Sequence, residues 1–142
     1  MSDRTIFEQI IDGDIPARIV HETETTLTFL DANPLAPGHT LVVPKEPYER
    51  LRDLPPELSA DVFGTVRTVT PAVQDAVDAD ATTIGINDGP EAGQEVPHLH
   101  VHIVPRFEGD GGGPIHGVAG ETPELGDEEL DTIADDIAEG LD

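Results

Sequence analysis

The chain has no cysteine and no tryptophan, and aromatic residues make up only 4% of its 142 positions. Without cysteine there is no disulfide, no thiolate nucleophile and no thiolate metal site. With so few aromatics, and hydrophobic residues at 37%, the core must come mostly from Val, Ile, Leu and Ala. Basic residues are equally scarce. Seven Lys and Arg stand against thirty Asp and Glu, a formal net charge of −23, and Lys45 is the single lysine. Such a chain repels nucleic acid and anionic membranes. No apolar run nears the ~18 residues of a membrane span. Met1-Ser2-Asp3-Arg4 lacks the basic start and long apolar region of a signal peptide. The expectation is a cytoplasmic protein with no nucleic-acid partner and no membrane partner.

The acids are spread along the chain and grow denser only after Glu121. Long periodic apolar segments argue against disorder. The charge fits a halophile, where molar salt cuts the Debye length to about 3 Å and makes self-repulsion tolerable. It therefore reports habitat rather than chemistry.

What is present centres on His98-Leu99-His100-Val101-His102-Ile103-Val104, which holds half of the six histidines. Histidines alternate with aliphatic residues, a period of two that specifies a strand. His98, His100 and His102 then share one face, roughly 6.6 Å apart, and Leu99, Val101 and Ile103 share the other.

Around this stretch the chain reads in order. Ile6, Phe7, Ile10 and Ile11 have helical spacing, giving a helix over about 5–12 with Gly13 as its stop. Residues 18–21 and 26–30 form a β-hairpin, and 39–43 a third strand with His39, Leu41 and Val43 on one face. Leu58, Val62, Val66, Val69, Val73 and Val77 form a helical stripe that packs on the sheet, with Pro71 expected to kink or split it. Residues 82–86 form a fourth strand, and a glycine-bearing loop, 87–94, leads into the histidines. Five strands with short connections specify a mainly antiparallel sheet with two to three helices, an α+β fold. One domain is expected over 1–142: a core over about 5–106, a flexible glycine-rich segment over 107–126 and a C-terminal amphipathic helix over 127–141. On that helix Leu130, Ile133, Ala134, Ile137 and Leu141 share a face.

Two chemistries suit the histidine row. A catalytic zinc would need three converging ligands, and three histidines on one flat strand span about 13 Å, so a third ligand would have to come from His39 or Glu95. Alternatively one neutral imidazole attacks phosphorus, oriented by a hydrogen bond at its other nitrogen. His100, flanked by an imidazole on each side, is the candidate. The loop ending Gly93-Gln94-Glu95-Val96 offers backbone N–H groups to phosphate oxygens.

The pattern histidine–apolar–histidine–apolar–histidine–apolar–apolar resembles that of the histidine triad (HIT) hydrolases and transferases, and His98–Val104 matches it in full. Ile6-Phe7, Ile15-Pro16, Phe29-Leu30-Asp31, Pro37-Gly38-His39, Val42-Val43-Pro44 and Gly93-Gln94 match in order and spacing. The resemblance implies a five-stranded sheet per subunit, a homodimer and no cofactor. It implies attack by His100 on the α-phosphorus of a purine nucleotide conjugate, either a phosphoramidate or a dinucleoside polyphosphate, through a nucleotidyl-histidine. His102 would serve the phosphate and leaving group, His98 would orient His100 through its carbonyl, and His39 would support the nucleophile from behind. Asp31 would bind ribose and Asn87 would lie near the ribose-phosphate. Gly93, Gln94, Glu95 and Val96 would contact phosphate, and Phe7, Ile10, Ile15, Phe29 and Leu30 would line the base. Core packing explains those five as well. Other readings are a nucleotide-binding module with little turnover, or a metal-dependent hydrolase.

Departures from the family pattern matter. Some relatives bind a structural zinc through C-x-x-C before the first helix; Thr5 and Glu8 stand there instead, and Pro47 replaces a ligand histidine, so no metal is expected. Glu95 stands where many relatives have Ser or Thr. Asp88–Gln94, Pro47 and Pro105-Arg106 resemble the fragile-histidine-triad branch, and Arg106 is a candidate polyphosphate contact. Ile6-Phe7 and Asp31 resemble the nucleoside phosphoramidase branch.

Overall fold

A computed structural model describes residues 4–141. They form two units, 4–112 and 113–141.

The first unit opens with helix α1, Ile6–Ile11, shorter by a residue at each end than its spacing predicts. Thr5 is its N-cap. The Thr5 hydroxyl accepts from the Glu8 N–H (3.1 Å), and the Glu8 carboxylate accepts from the Thr5 N–H (3.0 Å), a reciprocal capping box. Strands β1 (Ile19–Glu22), β2 (Thr26–Leu30), β3 (Thr40–Pro44), β4 (Ala81–Gly85) and β5 (Val101–Arg106) form one antiparallel sheet in the order β1-β2-β3-β5-β4. This is the α+β architecture expected from the sequence.

Alternation along the strands divides the core in two. On one face Val42, Leu99, Val101 and Ile103 pack against Leu58, Val62, Val66, Val69 and Val73 of helix α2, Pro56–Val77. On the other, Leu27, Phe29, Leu41 and Val43 pack against Phe7 of α1. The histidines lie on this second face.

Helix α2 starts with Pro56 in its first turn, where the missing N–H costs nothing. Contrary to expectation, Pro71 does not split it, and the helix runs 22 residues through that position. Arg67, whose carbonyl loses its donor at Pro71, lies with Pro71 on the exposed side, so water can take the bond. Gly38 is required before β3. Its φ is +87°, and a Cβ there would lie 3.1 Å from Val77 Cγ1 and 3.2 Å from Pro105 Cγ. This tight corner delivers His39 to the sheet.

The triad strand starts later than its alternation suggests. Ladder pairing begins at Val101, opposite Val42. Before it, the Leu99 N–H donates to the Tyr48 carbonyl (2.8 Å) and the His98 N–H to the Val96 carbonyl (2.8 Å). These bonds claim the backbone that the ladder would otherwise use. The in-out alternation of side chains still holds, since Leu99 joins the α2 core.

In the second unit a single 3₁₀ turn, Ile115–Gly117, precedes helix α3, Asp127–Leu141. Asp127, Glu128 and Glu129 fill its first turn, favourable to the helix dipole. No helix among the described residues is long and apolar enough to cross a membrane.

Candidate active site

The site is built where β5 leaves its bend and passes β3. His98 and His39 are fully or almost fully buried, His100 is 8% exposed, and His102 is half-buried. The imidazoles of His100 and His102 lie 4.9 Å apart between centroids at 62°. Phe7 sets the edge contact behind the nucleophile candidate, its ring 4.8 Å from His100 at 75° and 6.0 Å from His98.

The hydrogen bonds fix which nitrogen of each ring carries the proton. His98 Nε2–H donates to the Pro44 carbonyl at the end of β3 (2.8 Å). The His98 carbonyl accepts from His100 Nδ1–H (2.7 Å). His100 therefore keeps its lone pair on Nε2. On the other side the Leu35 N–H donates to His39 Nδ1 (3.0 Å), which places the His39 proton on Nε2. His39 Nε2 lies 2.9 Å from His102 Nδ1, so His39 donates and His102 accepts. The remaining proton of His102 is then on Nε2. One ring presents a lone pair and its neighbour an N–H, both set by backbone groups one or two bonds away.

Electrostatics support neutral rings. Burial pushes His39 and His98 below the ordinary imidazole range. His102 is pushed down to about 4, first by burial, then by the neighbouring His100 and His39, against the pull of Asp31.

His39 touches His102, their ring centroids 5.2 Å apart, and His102 in turn packs on His100. Asp31 stands beside this pair. One carboxylate oxygen accepts from the Asn33 N–H (2.8 Å) and the other lies 3.6 Å from His39 Nε2. Asp31, His39 and His102 bring three possible ligand atoms within 4.8 Å of one another. They fit a hydrogen-bonded chain better than a metal. Leu35 N–H occupies Nδ1 of His39, so Nε2 is protonated and has no lone pair for an ion. The structural zinc of some relatives does not fit either. Thr5 and Glu8 are spent on each other in the capping box, and neither offers a thiolate.

The loop before the triad is partly committed. The Gly93 N–H donates to the Pro90 carbonyl (2.9 Å) and the Gln94 N–H to the Gly89 carbonyl (3.1 Å). Glu95 and Val96 supply the N–H groups that the loop can still offer. Glu95 and Asn87 are exposed. Of the five residues expected to line the base, Phe7 and Phe29 are buried in the core cluster at 7% and 2% exposure. That leaves them little surface for a base. By strand alternation Leu30 projects to the face opposite Phe29. Ile10 and Ile15 are half-buried and keep accessible apolar surface on the α1 side.

Arg106, a polyphosphate candidate in the sequence, holds Asp110 by two bonds (2.8 and 3.0 Å) and donates to the Thr83 hydroxyl (3.0 Å). Asp110 also caps the Phe107 and Gly112 N–H groups and is held far below the usual carboxylate range, first by Arg106. Arg106 closes a turn. Leu35 and Pro44 escaped sequence reasoning because they act through backbone atoms. The only hint was the Pro44 that ends β3.

The described geometry has close counterparts. The HIT domain family matches residues 12–109. The chain is 50% identical over 107 residues to an uncharacterised HIT-like protein of Methanocaldococcus jannaschii, covering 75% of this chain and 81% of that one. It is 41% identical over 96 residues to the asymmetrical bis(5′-nucleosyl)-tetraphosphatase of Schizosaccharomyces pombe, covering 68% of this chain and 53% of that protein. A crystal structure of a protein from Streptococcus mutans superposes with a TM-score of 0.88 at 34% identity, covering all of this chain and 88% of that one. A sheet of this order, a full histidine triad and a family match over most of the first unit agree: the chain belongs to the HIT domain family.

Proposed function

We propose that the protein is a nucleotidyl hydrolase or transferase acting at the α-phosphorus of purine nucleotide conjugates, with His100 as nucleophile. The observation that carries this reading is the His100 ring, held through Nδ1–H by the His98 carbonyl with its Nε2 lone pair free. Attack by Nε2 forms a nitrogen–phosphorus bond and breaks the bond from phosphorus to the leaving oxygen or nitrogen. The ring becomes positively charged, and the His98 carbonyl stabilises that charge directly. His102 Nε2–H hydrogen-bonds the phosphoryl oxygen or the departing atom, and the leaving group takes up a proton from solvent as it departs. Water then attacks the phosphorus, loses a proton to solvent, and returns His100 to its neutral form with release of the nucleotide.

The N–H groups of Glu95 and Val96 meet the phosphate oxygens, which suits a chain with few cations to spare. Asp31 meets the ribose, Asn87 the ribose-phosphate, and Ile10 and Ile15 the base. The relative named as a dinucleoside tetraphosphatase supports a polyphosphate among the substrates. The protein works as a cytoplasmic homodimer.

The test is release of AMP from adenosine 5′-phosphoramidate and from a diadenosine polyphosphate in molar KCl with EDTA, for wild type and His100→Ala. Turnover by wild type that His100→Ala abolishes is expected, and the better substrate assigns the branch. Turnover that survives the substitution removes His100 as nucleophile. Binding without turnover in wild type, with or without chelator, would make the protein a nucleotide-binding module instead.

A further inference from the structure

Gln94 stands in the loop that the triad follows, and its side chain is fully engaged. Its Oε1 accepts from the Gly89 N–H (2.8 Å). Its Nε2 donates to the Glu49 carbonyl (2.8 Å) and to the Val96 carbonyl (3.2 Å). A carboxamide has two donor hydrogens, and both are spent. What remains is a lone pair on Oε1, which repels a phosphate oxygen. Gln94 therefore has nothing attractive to offer an anionic substrate.

Its three bonds join two separate stretches of backbone. The stretch Tyr48–Leu51 is the common anchor. Besides the Glu49 carbonyl, its Leu51 N–H donates to Asp88 Oδ1 (2.9 Å) and its Tyr48 carbonyl accepts from the Leu99 N–H (2.8 Å). The Arg50 guanidinium lies against Gly89, whose φ is +109° and where a Cβ would lie 2.9 Å from Arg50 Cζ. The Val96 carbonyl that accepts from Gln94 also accepts from the His98 N–H. Gln94 thus touches the same peptide that starts the triad.

We infer that Gln94 is a positioning residue: its carboxamide clasps loop 88–96 to Tyr48–Leu51 and so aims the N–H groups of Glu95 and Val96, with no substrate contact of its own. What those two N–H groups meet, the α-phosphate, rests on the proposed nucleotidyl transfer. The α-phosphate is common to every substrate, so the clasp serves all leaving groups equally. A contact between Gln94 and the leaving group would not.

Gln94→Met keeps the side-chain length and removes all three bonds. Expected is a fall in kcat/KM of ~100-fold, the scale set by slight misplacement of binding groups. The factor should be the same for adenosine 5′-phosphoramidate and for a diadenosine polyphosphate. The Gly89 amide should exchange with solvent faster, and the shifts of the Glu95 and Val96 amides on addition of AMP should shrink. Losses that differ between the two leaving groups by more than about tenfold (about 1.4 kcal/mol) would make Gln94 a substrate contact and overturn the inference. So would unchanged Gly89 exchange or unchanged kcat/KM. If wild type turns over neither substrate, the proposed function falls, and Gly89 exchange with the AMP-induced amide shifts still decides the clasp. Should Gln94→Met not fold, Gln94→Glu keeps an acceptor for Gly89 and loses both donors; it is then read by kcat/KM on the two substrates and by the AMP-induced shifts of the Glu95 and Val96 amides, and unchanged values of both overturn the inference.

Discussion

Acid should cost this protein stability through His102, by an amount that can be worked out. The folded ring stays neutral down to about 4, against an ordinary value of 6.5. In the unfolded chain the same ring takes up its proton near 6.5. Between those limits the unfolded state binds more protons, so stability falls as pH falls through this window. The contribution is complete above pH 6.5 and exhausted below about 4. A gap of that size amounts to about 3 kcal/mol as an upper bound. Carboxylates will blur the raw curve. With thirty acids and a net charge of −23, protonating them relieves self-repulsion and works in the opposite direction. The informative quantity is therefore a difference. Denaturant unfolding of wild type and His102→Gln, in molar KCl from pH 7 to pH 4, cancels the carboxylates common to both. Wild type should lose up to about 3 kcal/mol relative to the variant across this range. Parallel curves would refute the claim that the ring is held neutral, and with it the donor assignment from His39.

Three further outcomes are expected. His39→Ala removes the donor to His102 and strands the Leu35 N–H; kcat should fall ~10-fold, one hydrogen bond's worth, while His39→Gln, which can both accept from Leu35 and donate to His102, should recover most of it in the AMP-release assay. Phe7→Ala opens a cavity beneath the His100 ring and should lower unfolding stability by ~3–5 kcal/mol, measured by denaturant midpoint. Glu95→Thr replaces a carboxylate that repels phosphate with a hydroxyl donor; turnover of a diadenosine polyphosphate should rise more than that of the phosphoramidate, and an equal change in both would remove Glu95 as a selector of leaving group.

Much of the fold was legible because it depends on local periodicity. The Leu58–Val77 stripe, the run Thr26–Leu30 and the alternation of His98–Ile103 each carry their period in plain view, and each faces the side it announces. What escaped depends on distant partners. His39 and His102 lie 63 positions apart, and nothing local to either says that they share a proton. The late start of β5 and the burden carried by Gln94 come from backbone carbonyls at Pro44, Tyr48 and Glu49, and carbonyls have no sequence signature. Pro71 misled for the opposite reason. A local rule predicted a break, but the lost bond falls on the wet side of a helix whose other side is locked into the core.

The reciprocal pair Thr5 and Glu8 has a consequence for what can perturb this protein. In relatives that tether the first helix through cysteines and an ion, the tether can be oxidised or starved. Here the helix that carries Phe7 to the His100 ring begins on a hydroxyl and a carboxylate. Neither chelator, peroxide nor a shift in thiol poise can loosen that start. The His100 ring that Phe7 backs is in this way insulated from the redox state of its surroundings.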